Sequence, residues 1–309
     1  MATADRIEGM VPVIPIPFRD DEAIDRDGLA ALCDFAARQR VAAACLPAFG
    51  SEFYKLGGDE RLEAVRIAVE AVAGRIPIVA QSNHGAARLA AELAQQNQKA
   101  GASVISVALP RAFTYTEADL LEFAVTVGRA VDVPLLVQDW NPAGPAVGAE
   151  FCARLREACP NFRYIKLEEP KMGPKVREIR SRCREAVGVL EGWGGEYMLE
   201  LIPAGIVGVM PGLGMIDVLQ QVWELGRAGR AREAYGPFAR IHPWIAFSLQ
   251  SIESYNYLEK KLLIRRGLIR ASHVRKPTIT LDPDSAAYAD FLIERVMDAI
   301  EAVGVRAAG

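Results

Sequence analysis

A lysine and a glutamate lie on one face of a short, otherwise apolar segment, residues 162–170. If this segment is a β-strand, alternate side chains point to opposite faces, so Tyr164, Lys166 and Glu168 lie on the same side. An ammonium group is costly to bury unless it is paired, and burial lowers the pKa of a lysine towards neutrality. Because a neutral amine attacks ketones, the pattern predicts a lysine that forms a Schiff base. A solvated Lys–Glu pair on a surface strand is the alternative.

Strand-like and helix-like patterns alternate through most of the chain. Eight apolar segments, beginning with residues 10–18, are each followed by a stretch of helical periodicity. Strands that are apolar throughout are buried on both faces, which indicates a parallel sheet. We therefore predict an α/β fold, a TIM (β/α)8 barrel over residues 1–226. A doubly wound open sheet is the alternative, but no GxGxxG loop follows the first strand.

Three further helices are predicted after the alternation stops, at residues 230–249, 251–267 and 284–303. Their periodicity indicates apolar faces that need a partner surface. We predict that residues 227–309 form a C-terminal three-helix extension packed on the barrel. No low-complexity linker separates the two parts, so we expect one compact unit.

The composition is that of an ordinary globular protein, with 51% hydrophobic and 24% charged residues and a formal net charge of −3. It has no basic stripe that would predict nucleic-acid binding and no apolar run long enough to cross a bilayer. The first nine residues are polar and mixed in charge, unlike a secretory signal. Five scattered cysteines fit a reduced compartment, so we expect a cytoplasmic protein. Three widely separated histidines and the cysteine spacing predict no metal site.

The predicted strand ends are rich in polar residues and glycines. In a parallel barrel these ends meet at one rim, where the following loops form the active site. Gly50 and Ser51 could present backbone N–H groups and a hydroxyl to a substrate carboxylate. Gly194 and Gly195 could let the backbone approach a ligand closely. For single residues such as Asn83, a loop side chain that satisfies its own turn is the alternative.

Three motifs resemble those of one known superfamily of barrel enzymes, the dihydrodipicolinate synthase / N-acetylneuraminate lyase superfamily. Residues 164–168 (YIKLE) are similar to its Schiff-base strand. Residues 50–52 (GSE), with 59–61 (DER) behind them, are similar to its carboxylate-binding loop, and residues 205–209 (GIVGV) resemble its eighth strand. The resemblance covers nearly the whole chain. It implies a homotetrameric enzyme that forms a Schiff base with a 2-oxo acid and needs no cofactor.

The chain departs from the usual pattern of that superfamily at two places. Typical synthases and lyases carry Tyr-Asn at the end of the fifth strand, where the tyrosine relays protons, whereas this chain has Gln138-Asp139. Ser51-Glu52-Phe53 also differs from the Thr-Thr-Gly-Glu of the synthases. Both features are similar to the branch that contains 2-keto-3-deoxy-L-arabonate dehydratase. They argue against a synthase or a sialic-acid lyase.

The resulting hypothesis is a metal-free lyase that dehydrates a 2-keto-3-deoxy sugar acid. Lys166 would form the imine, Glu168 would act as acid and base, and Gln138 would orient a substrate hydroxyl or a water. The predicted substrate-binding residues are Gly50, Ser51, Glu52, Asn83, Asp139, Trp193, Gly194 and Gly208. One alternative is an aldolase that releases pyruvate, in which Glu168 or Tyr54 replaces the missing tyrosine. The other is a sugar-acid binder without turnover.

Overall fold

A closed ring of eight parallel strands forms the centre of the protein. The structure is a computed structural model that describes residues 7–271 and 273–307. The strand order is β1-β8-β7-β6-β5-β4-β3-β2, and Val13 closes the ring because it bridges to both Cys45 and Gly212. This is the predicted TIM barrel. The strands are β1 (Gly9–Met10), β2 (Ala44–Leu46), β3 (Ile78–Gln81), β4 (Val104–Ala108), β5 (Leu135–Asp139), β6 (Phe162–Leu167), β7 (Gly188–Glu191) and β8 (Gly208–Val209).

Helices follow the strands and surround the ring. They are α1 (Arg26–Arg38), α2 (Gly58–Val72), α3 (Ala87–Lys99), α4 (Glu117–Arg129), α5 (Ala149–Ala158), α6 (Gly173–Arg182), α7 (Met198–Leu201) and α8 (Ile216–Arg227). Two 3-10 turns, Phe49–Ser51 and Phe53–Lys55, follow β2. Capping by side chains helps to fix the helix starts: Asp25 accepts from the backbone of α1, and Thr116 does so for α4.

The strands separate two apolar layers. Inward-facing side chains such as Val79, Leu136 and Leu190 fill the barrel, and Tyr164 lies among them with its hydroxyl oxygen accepting a hydrogen bond from the backbone N–H of Ile7 at 2.6 Å. Ile165 packs instead against the surrounding helices. The alternation predicted for this strand is therefore confirmed, and it directs the next inward-facing residue after Tyr164 to the mouth of the barrel.

The register between β5 and β6 sets which side chains are neighbours at the mouth. Leu135 pairs with Phe162 but Leu136 pairs with Tyr164, so one residue of β6 is skipped. A skipped residue of this kind is a β-bulge, and it shifts every later pair by one position. As a result, Gln138 pairs with Lys166.

Among the residues that the structure describes, three helices follow the barrel: α9 (Ala231–Ser248), α10 (Ile252–Arg265) and α11 (Pro283–Ala307). Phe238 and Trp244 of α9 are buried in the same core as the barrel helices. The α10 helix crosses the mouth of the barrel, where the buried Lys260 ammonium lies 2.5 Å from the Glu52 carboxylate. None of the helices within the described ranges is long and apolar enough to cross a membrane.

Candidate active site

A pocket that is open to solvent lies at the C-terminal mouth of the barrel. Its walls come from the ends of β5 and β6, from the loops after β2, β7 and β8, and from the start of α10. Trp140, Trp193 and Leu249 are among the larger apolar side chains that line it. This is the position at which barrel enzymes of this architecture bind substrates.

One side of the pocket carries its amine and its carboxylate. Lys166 is 5% exposed, and its Nζ lies 2.8 Å from Oε1 of Glu168. The side-chain amide of Gln138 donates to both carboxylate oxygens of Glu168, at 3.2 and 3.1 Å. We call these three residues, Gln138, Lys166 and Glu168, the lysine wall. The prediction that Lys166 and Glu168 share one face is confirmed by this contact.

A line of hydrogen-bonded amides extends from the lysine wall across the top of the sheet. The Oε1 of Gln138 accepts from the side-chain amide of Gln81, whose own Oε1 accepts from Nδ2 of Asn83 at 3.2 Å. The Oδ1 of Asn83 accepts from the backbone N–H of Ala108 at 2.7 Å. Arg61 donates to the backbone carbonyl of Asn83 at 2.9 Å, which fixes that end of the line.

Gly192 lies directly against the lysine wall. A Cβ atom at this position would be 2.5 Å from Cε of Lys166 and 2.5 Å from Cγ of Glu168. Real Cβ atoms do not approach carbon atoms this closely, so any other residue would displace both side chains. The close approach of this backbone is what lets the lysine and the glutamate remain paired inside the pocket.

Glu191 precedes this glycine and is fully buried. Its carboxylate accepts from the backbone N–H groups of Trp193, at 3.2 Å, and Gly195, at 2.9 Å. Burial raises the pKa of Glu191 to about 7, although the backbone N–H groups of Gly195 and Tyr197 and the Lys166 ammonium act in the opposite direction. The carboxylate therefore shapes the loop that places Trp193 and Gly194 in the pocket wall.

The side across from the lysine wall is built from small and apolar groups. We call Val13, Gly50, Gly212 and Tyr255 the glycine wall. A Cβ at Gly50 would lie 2.6 Å from the Tyr255 ring, and one at Gly212 would lie 2.7 Å from its hydroxyl. This hydroxyl has no hydrogen-bond partner within the described part of the chain. Burial raises the pKa of Tyr255 well above its ordinary value, and the charge of Glu259 raises it further.

Ser51 and Glu52 lie behind this wall and do not line the pocket. The hydroxyl of Ser51 donates to the carbonyl of Ile14 at 2.6 Å, and its backbone N–H donates to Ala48 at 2.9 Å. Glu52 is fully buried and bonds to Lys260. Both predicted substrate-binding residues therefore hold the loop after β2 in place through contacts inside the protein.

Three other predicted binding residues also lie outside the pocket lining: Asn83, Asp139 and Gly208. Asp139 is fully buried, and Arg111 donates to its two oxygens at 2.8 and 2.6 Å. A Cβ at Gly208 would be 2.3 Å from the backbone oxygen of Gly9, so this glycine permits close strand packing. Asp139 orders the loop after β5, since it also accepts from the backbone of Val147 at 2.7 Å.

The structure thus brings together six of the residues chosen from the sequence: Lys166, Glu168, Gln138, Gly50, Trp193 and Gly194. It adds two that sequence reasoning missed. Gln81 could have been identified from the sequence, because it is a polar residue at the end of an apolar strand. No sequence pattern identified Tyr255 as a site residue, because its position on a C-terminal helix predicted only packing against other parts of the chain.

The polar groups on the lysine wall are an amide, an amine and a carboxylate. The five cysteines are buried and free. Among the described residues, no group of three or more His, Cys, Asp or Glu side chains is arranged to hold a metal ion. The contact between the Lys166 amine and the Glu168 carboxylate can support nucleophilic attack and proton transfer.

The chain matches known proteins over nearly its whole length. Residues 6–295 match the model of the Dihydrodipicolinate synthetase family. The L-2-keto-3-deoxyarabonate dehydratase of Azospirillum brasilense is 30% identical over 294 residues, which is 93% of this chain and 93% of that protein.

Solved structures show the same architecture. The 4-hydroxy-tetrahydrodipicolinate synthase of Methylacidiphilum fumariolicum SolV superposes with a TM-score of 0.88 at 21% identity, covering 97% of this chain and 99% of that one. YagE of Escherichia coli K12, solved in complex with pyruvate, gives a TM-score of 0.85 at 24% identity, covering 94% and 98%. YagE, a putative 2-dehydro-3-deoxy-D-gluconate aldolase, is also 32% identical over 143 residues, 44% of this chain and 47% of that protein. The predicted fold is confirmed.

Proposed function

The chain belongs to the dihydrodipicolinate synthetase family, and within it we propose a lyase that dehydrates a 2-keto-3-deoxy sugar acid through a Schiff base on Lys166. The observation that carries this proposal is the lysine wall itself. It places an amine, a carboxylate in contact with it at 2.8 Å, and an amide that bonds to the same carboxylate around one open pocket. The similarity to the dehydratase of A. brasilense supports the same reaction.

The reaction begins with the imine. Glu168 is close enough to accept a proton from the Lys166 ammonium, which leaves the amine free to attack C2 of the substrate. Loss of the C2 oxygen as water gives a protonated imine, whose positive charge acidifies the protons at C3. The Lys166–C2 bond then holds the substrate in the pocket through the remaining steps.

Elimination follows at C3 and C4. Glu168 removes one C3 proton, and the imine takes up the electron pair to form an enamine. The enamine pair then returns to form the C3–C4 double bond as the C4 hydroxyl, protonated by Glu168, leaves as water. Hydrolysis of the resulting unsaturated imine frees the product and restores Lys166. Gln138 transfers no proton in this sequence; its amide holds the carboxylate of Glu168 over the reacting carbons.

The orientation of the substrate follows from the positions of the two walls. C3 and C4 must face Glu168, so the C1 carboxylate points towards the glycine wall, where Gly50 exposes backbone to the pocket. We place Trp193 and Gly194 in contact with the sugar-acid chain for the same reason. Ser51, Glu52, Asn83, Asp139 and Gly208 act in this proposal from behind the pocket surface, through the loops and side chains that they hold.

The second candidate is retro-aldol cleavage to pyruvate. Its support is the similarity to YagE, a putative aldolase. Cleavage requires a base for the C4 hydroxyl proton, and β5 ends in Gln138 and Asp139, of which the first cannot accept a proton and the second is bonded to Arg111. Glu168 is the group left to accept that proton, so the two reactions need the same side chain. The similarity to the dehydratase extends over 93% of this chain and that to YagE over 44%, which favours dehydration.

A panel of 2-keto-3-deoxy acids tests the proposal against this alternative. Dehydration gives a product lighter than the substrate by one water, measured by mass spectrometry. Cleavage gives pyruvate, measured by coupling to lactate dehydrogenase. A dehydrated product without pyruvate from at least one acid is the expected result. Pyruvate release alone would transfer the assignment to an aldolase, and no reaction with any acid, together with no adduct on Lys166, would remove the lyase function.

We also propose that the protein is a cytoplasmic homotetramer. The buried free cysteines support a reducing compartment. Phe238 and Trp244 of the C-terminal helices are buried within the chain, so they offer no surface for assembly. Tyr288 and Phe291 of α11 remain exposed, with stacked rings 6.3 Å apart, and offer an apolar surface for a second copy. A monomer in sedimentation velocity at micromolar concentration would refute the tetramer.

A further inference from the structure

We propose that Asn83, Gln81 and Gln138 form a polarised amide relay whose direction decides which atom of Gln138 faces Glu168. Asn83 and Gln81 are then positioning residues for proton transfer, although neither contacts the reacting carbons. The inference rests on the proposed function, because it concerns the group that removes the C3 proton. It gives a role to two side chains that the reaction itself does not use.

The direction of the relay is fixed at its outer end by the backbone. A main-chain N–H can only donate, so the N–H of Ala108, 2.7 Å from Asn83, must face the amide oxygen of that side chain. The amide nitrogen of Asn83 is thereby turned towards Gln81 and donates to its Oε1 at 3.2 Å. Gln81 in turn presents its nitrogen to the oxygen of Gln138.

The inner end demands the same direction. An ionised carboxylate can only accept hydrogen bonds, and Glu168 is held as the partner of the Lys166 ammonium. It therefore needs a donor from Gln138, and Nε2 of that residue lies 3.2 and 3.1 Å from its two oxygens. Because the backbone donor and the carboxylate acceptor select the same polarity, every amide between them has one favoured orientation.

Burial prevents water from relaxing this order. Gln81, Asn83 and Gln138 are 3%, 5% and 2% exposed. An amide that turned over would place two acceptors or two donors face to face, with no solvent to separate them, and a buried polar group without a partner is strongly disfavoured. The relay thus holds Glu168 in the geometry for proton removal before substrate binds, so no reorientation is required at the moment of reaction.

A substitution that reverses the amide orientations and one that removes an amide have different consequences, and this difference gives a test. In Asn83→Asp, one carboxylate oxygen still accepts from Ala108, but the other also demands a donor. Gln81 must then turn its nitrogen outwards, Gln138 follows, and the carbonyl oxygen of Gln138 meets Glu168. In Asn83→Ala the relay is only shortened, and the Glu168 carboxylate still orients Gln138.

The order of the two effects distinguishes the relay from simple packing. Aspartate has nearly the shape of asparagine, so a packing role predicts that Asn83→Ala is the more harmful change. The relay predicts the opposite. We expect the exchange of pyruvate C3 protons with deuterium, followed by NMR, to fall about 10-fold in Asn83→Ala and at least about 10-fold further in Asn83→Asp, since a buried unmatched polar pair costs about one to two factors of ten.

A second readout separates positioning of Glu168 from damage to the whole site. Borohydride traps the imine between Lys166 and pyruvate, and intact mass reports its amount. We expect the pyruvate concentration for half-maximal trapping to change less than about 3-fold in both variants, because imine formation does not need the C3 proton to be removed. The loss should therefore lie in the exchange rate and not in binding.

Asn97 provides the matched control. It is 4% exposed, and its Nδ2 donates to the hydroxyl of Ser82 at 3.0 Å, next to the relay but outside it. Asn97→Asp and Asn97→Ala therefore reproduce the cost of a buried carboxylate and of a lost amide. We expect both to lower the melting temperature and to leave the exchange rate of the folded protein within about 3-fold of the original.

Two results would overturn the inference. If wild-type protein exchanges pyruvate protons but Asn83→Asp equals or exceeds Asn83→Ala in rate, the direction of the relay has no role and the proposed function stands. If wild-type protein forms no adduct with pyruvate on Lys166, the proposed function fails and the relay fails with it.

Discussion

The lysine wall and the glycine wall face each other across one pocket but are built on different principles. The strands β5 and β6 lie opposite β1 and β2 in the closed ring, so Lys166 and Glu168 lie on the opposite side of the pocket from Gly50. The lysine wall is held by directional hydrogen bonds, which continue through Gln81 and Asn83 to a backbone N–H. The glycine wall is a set of close steric contacts, in which Tyr255 occupies the space that side chains at Gly50 and Gly212 would need.

This contrast separates the two tasks of the site. Proton transfer needs a carboxylate held in one orientation, and hydrogen bonds provide orientation. Binding the unreactive end of a substrate needs a surface of the right shape, and close packing provides shape. Changes to the lysine wall should therefore lower the rate of chemistry, whereas changes to the glycine wall should weaken binding.

The largest difference within the lysine wall should lie between Glu168→Gln and Gln138→Ala. Proton transfer by a positioned side chain contributes about 10²–10⁴-fold, so Glu168→Gln should lose turnover and C3 exchange by that factor. Gln138→Ala removes only the donor that holds this carboxylate, so it should lower turnover and exchange by about 10-fold, as in Asn83→Ala. Trapping of the pyruvate imine by borohydride should survive in both variants. The opposite ranking in the exchange experiment would make Glu168 a structural partner of Lys166 and would assign proton transfer to another group.

The backbone beside the lysine wall should be the next most sensitive point. Gly192→Ala places a methyl group against Cε of Lys166 and Cγ of Glu168, and a displacement of this kind costs about 10²-fold in turnover. Gly148→Ala is the matched control, since its Cβ would meet no atom within 4 Å. Equal turnover of the two variants, measured with the same 2-keto-3-deoxy acid, would show that the Lys166–Glu168 geometry is not critical.

A smaller effect of a different kind is expected from the glycine wall. In Gly50→Ala the new methyl group would lie 2.6 Å from the Tyr255 ring and 3.2 Å from Val13, so the ring must move into the pocket or away from it. We expect about a 10-fold higher pyruvate concentration for half-maximal trapping, from a steric cost of about 1–3 kcal/mol. The rate of exchange at saturating pyruvate should change little. If Gly50→Ala lowered only the exchange rate at saturating pyruvate, the glycine wall would serve the chemistry and not binding.

The last effect is on stability rather than on activity, and it concerns pH and the loop after β7. The pKa of Glu191 is about 7 in the folded protein and near 4.5 when the chain is unfolded. Both states are protonated below pH 4.5. As pH rises towards 7 the unfolded state releases its proton first, so this residue lowers stability progressively up to about pH 7 and by a constant amount above it. In Glu191→Gln this dependence should disappear.

Urea unfolding at pH 5 and pH 8 measures that effect. The wild-type protein should lose stability relative to Glu191→Gln between the two values. A constant difference would mean that Glu191 is not the titrating group. A wild-type protein that gains stability relative to the variant as pH rises would show that its folded pKa is lowered rather than raised.

The barrel was predictable from the sequence because its signals are local. Apolar strands, helical periodicity and the alternation around Lys166 depend only on neighbours in the chain. The first strand is much shorter than predicted: residues 10–18 were expected, and the ladder comprises Gly9–Met10. The prolines at 12, 15 and 17 have no N–H to donate, so the paired strand stops before them.

The pocket was predictable only where its residues lie on strand ends. Ser51 was expected to offer its hydroxyl and N–H to a ligand, but both are bonded within the protein. Tyr255 reaches the pocket because α10 crosses the barrel mouth, which no pattern in the helix reveals. Asn83 was chosen as a substrate contact, and the structure places it in the line of amides through Gln81. Contacts between segments distant in sequence decide all three cases.

The mass of the adduct trapped on Lys166 tests the central claim most directly. Borohydride is added during turnover of a 2-keto-3-deoxy acid, and the labelled peptide is mapped in wild-type protein and in Lys166→Ala. We expect a reduced adduct on Lys166 that has lost one water from the sugar acid, and no adduct in Lys166→Ala. An adduct with the mass of pyruvate would show cleavage instead of dehydration. An adduct on Lys171 or Lys175, retained in Lys166→Ala, would contradict the account.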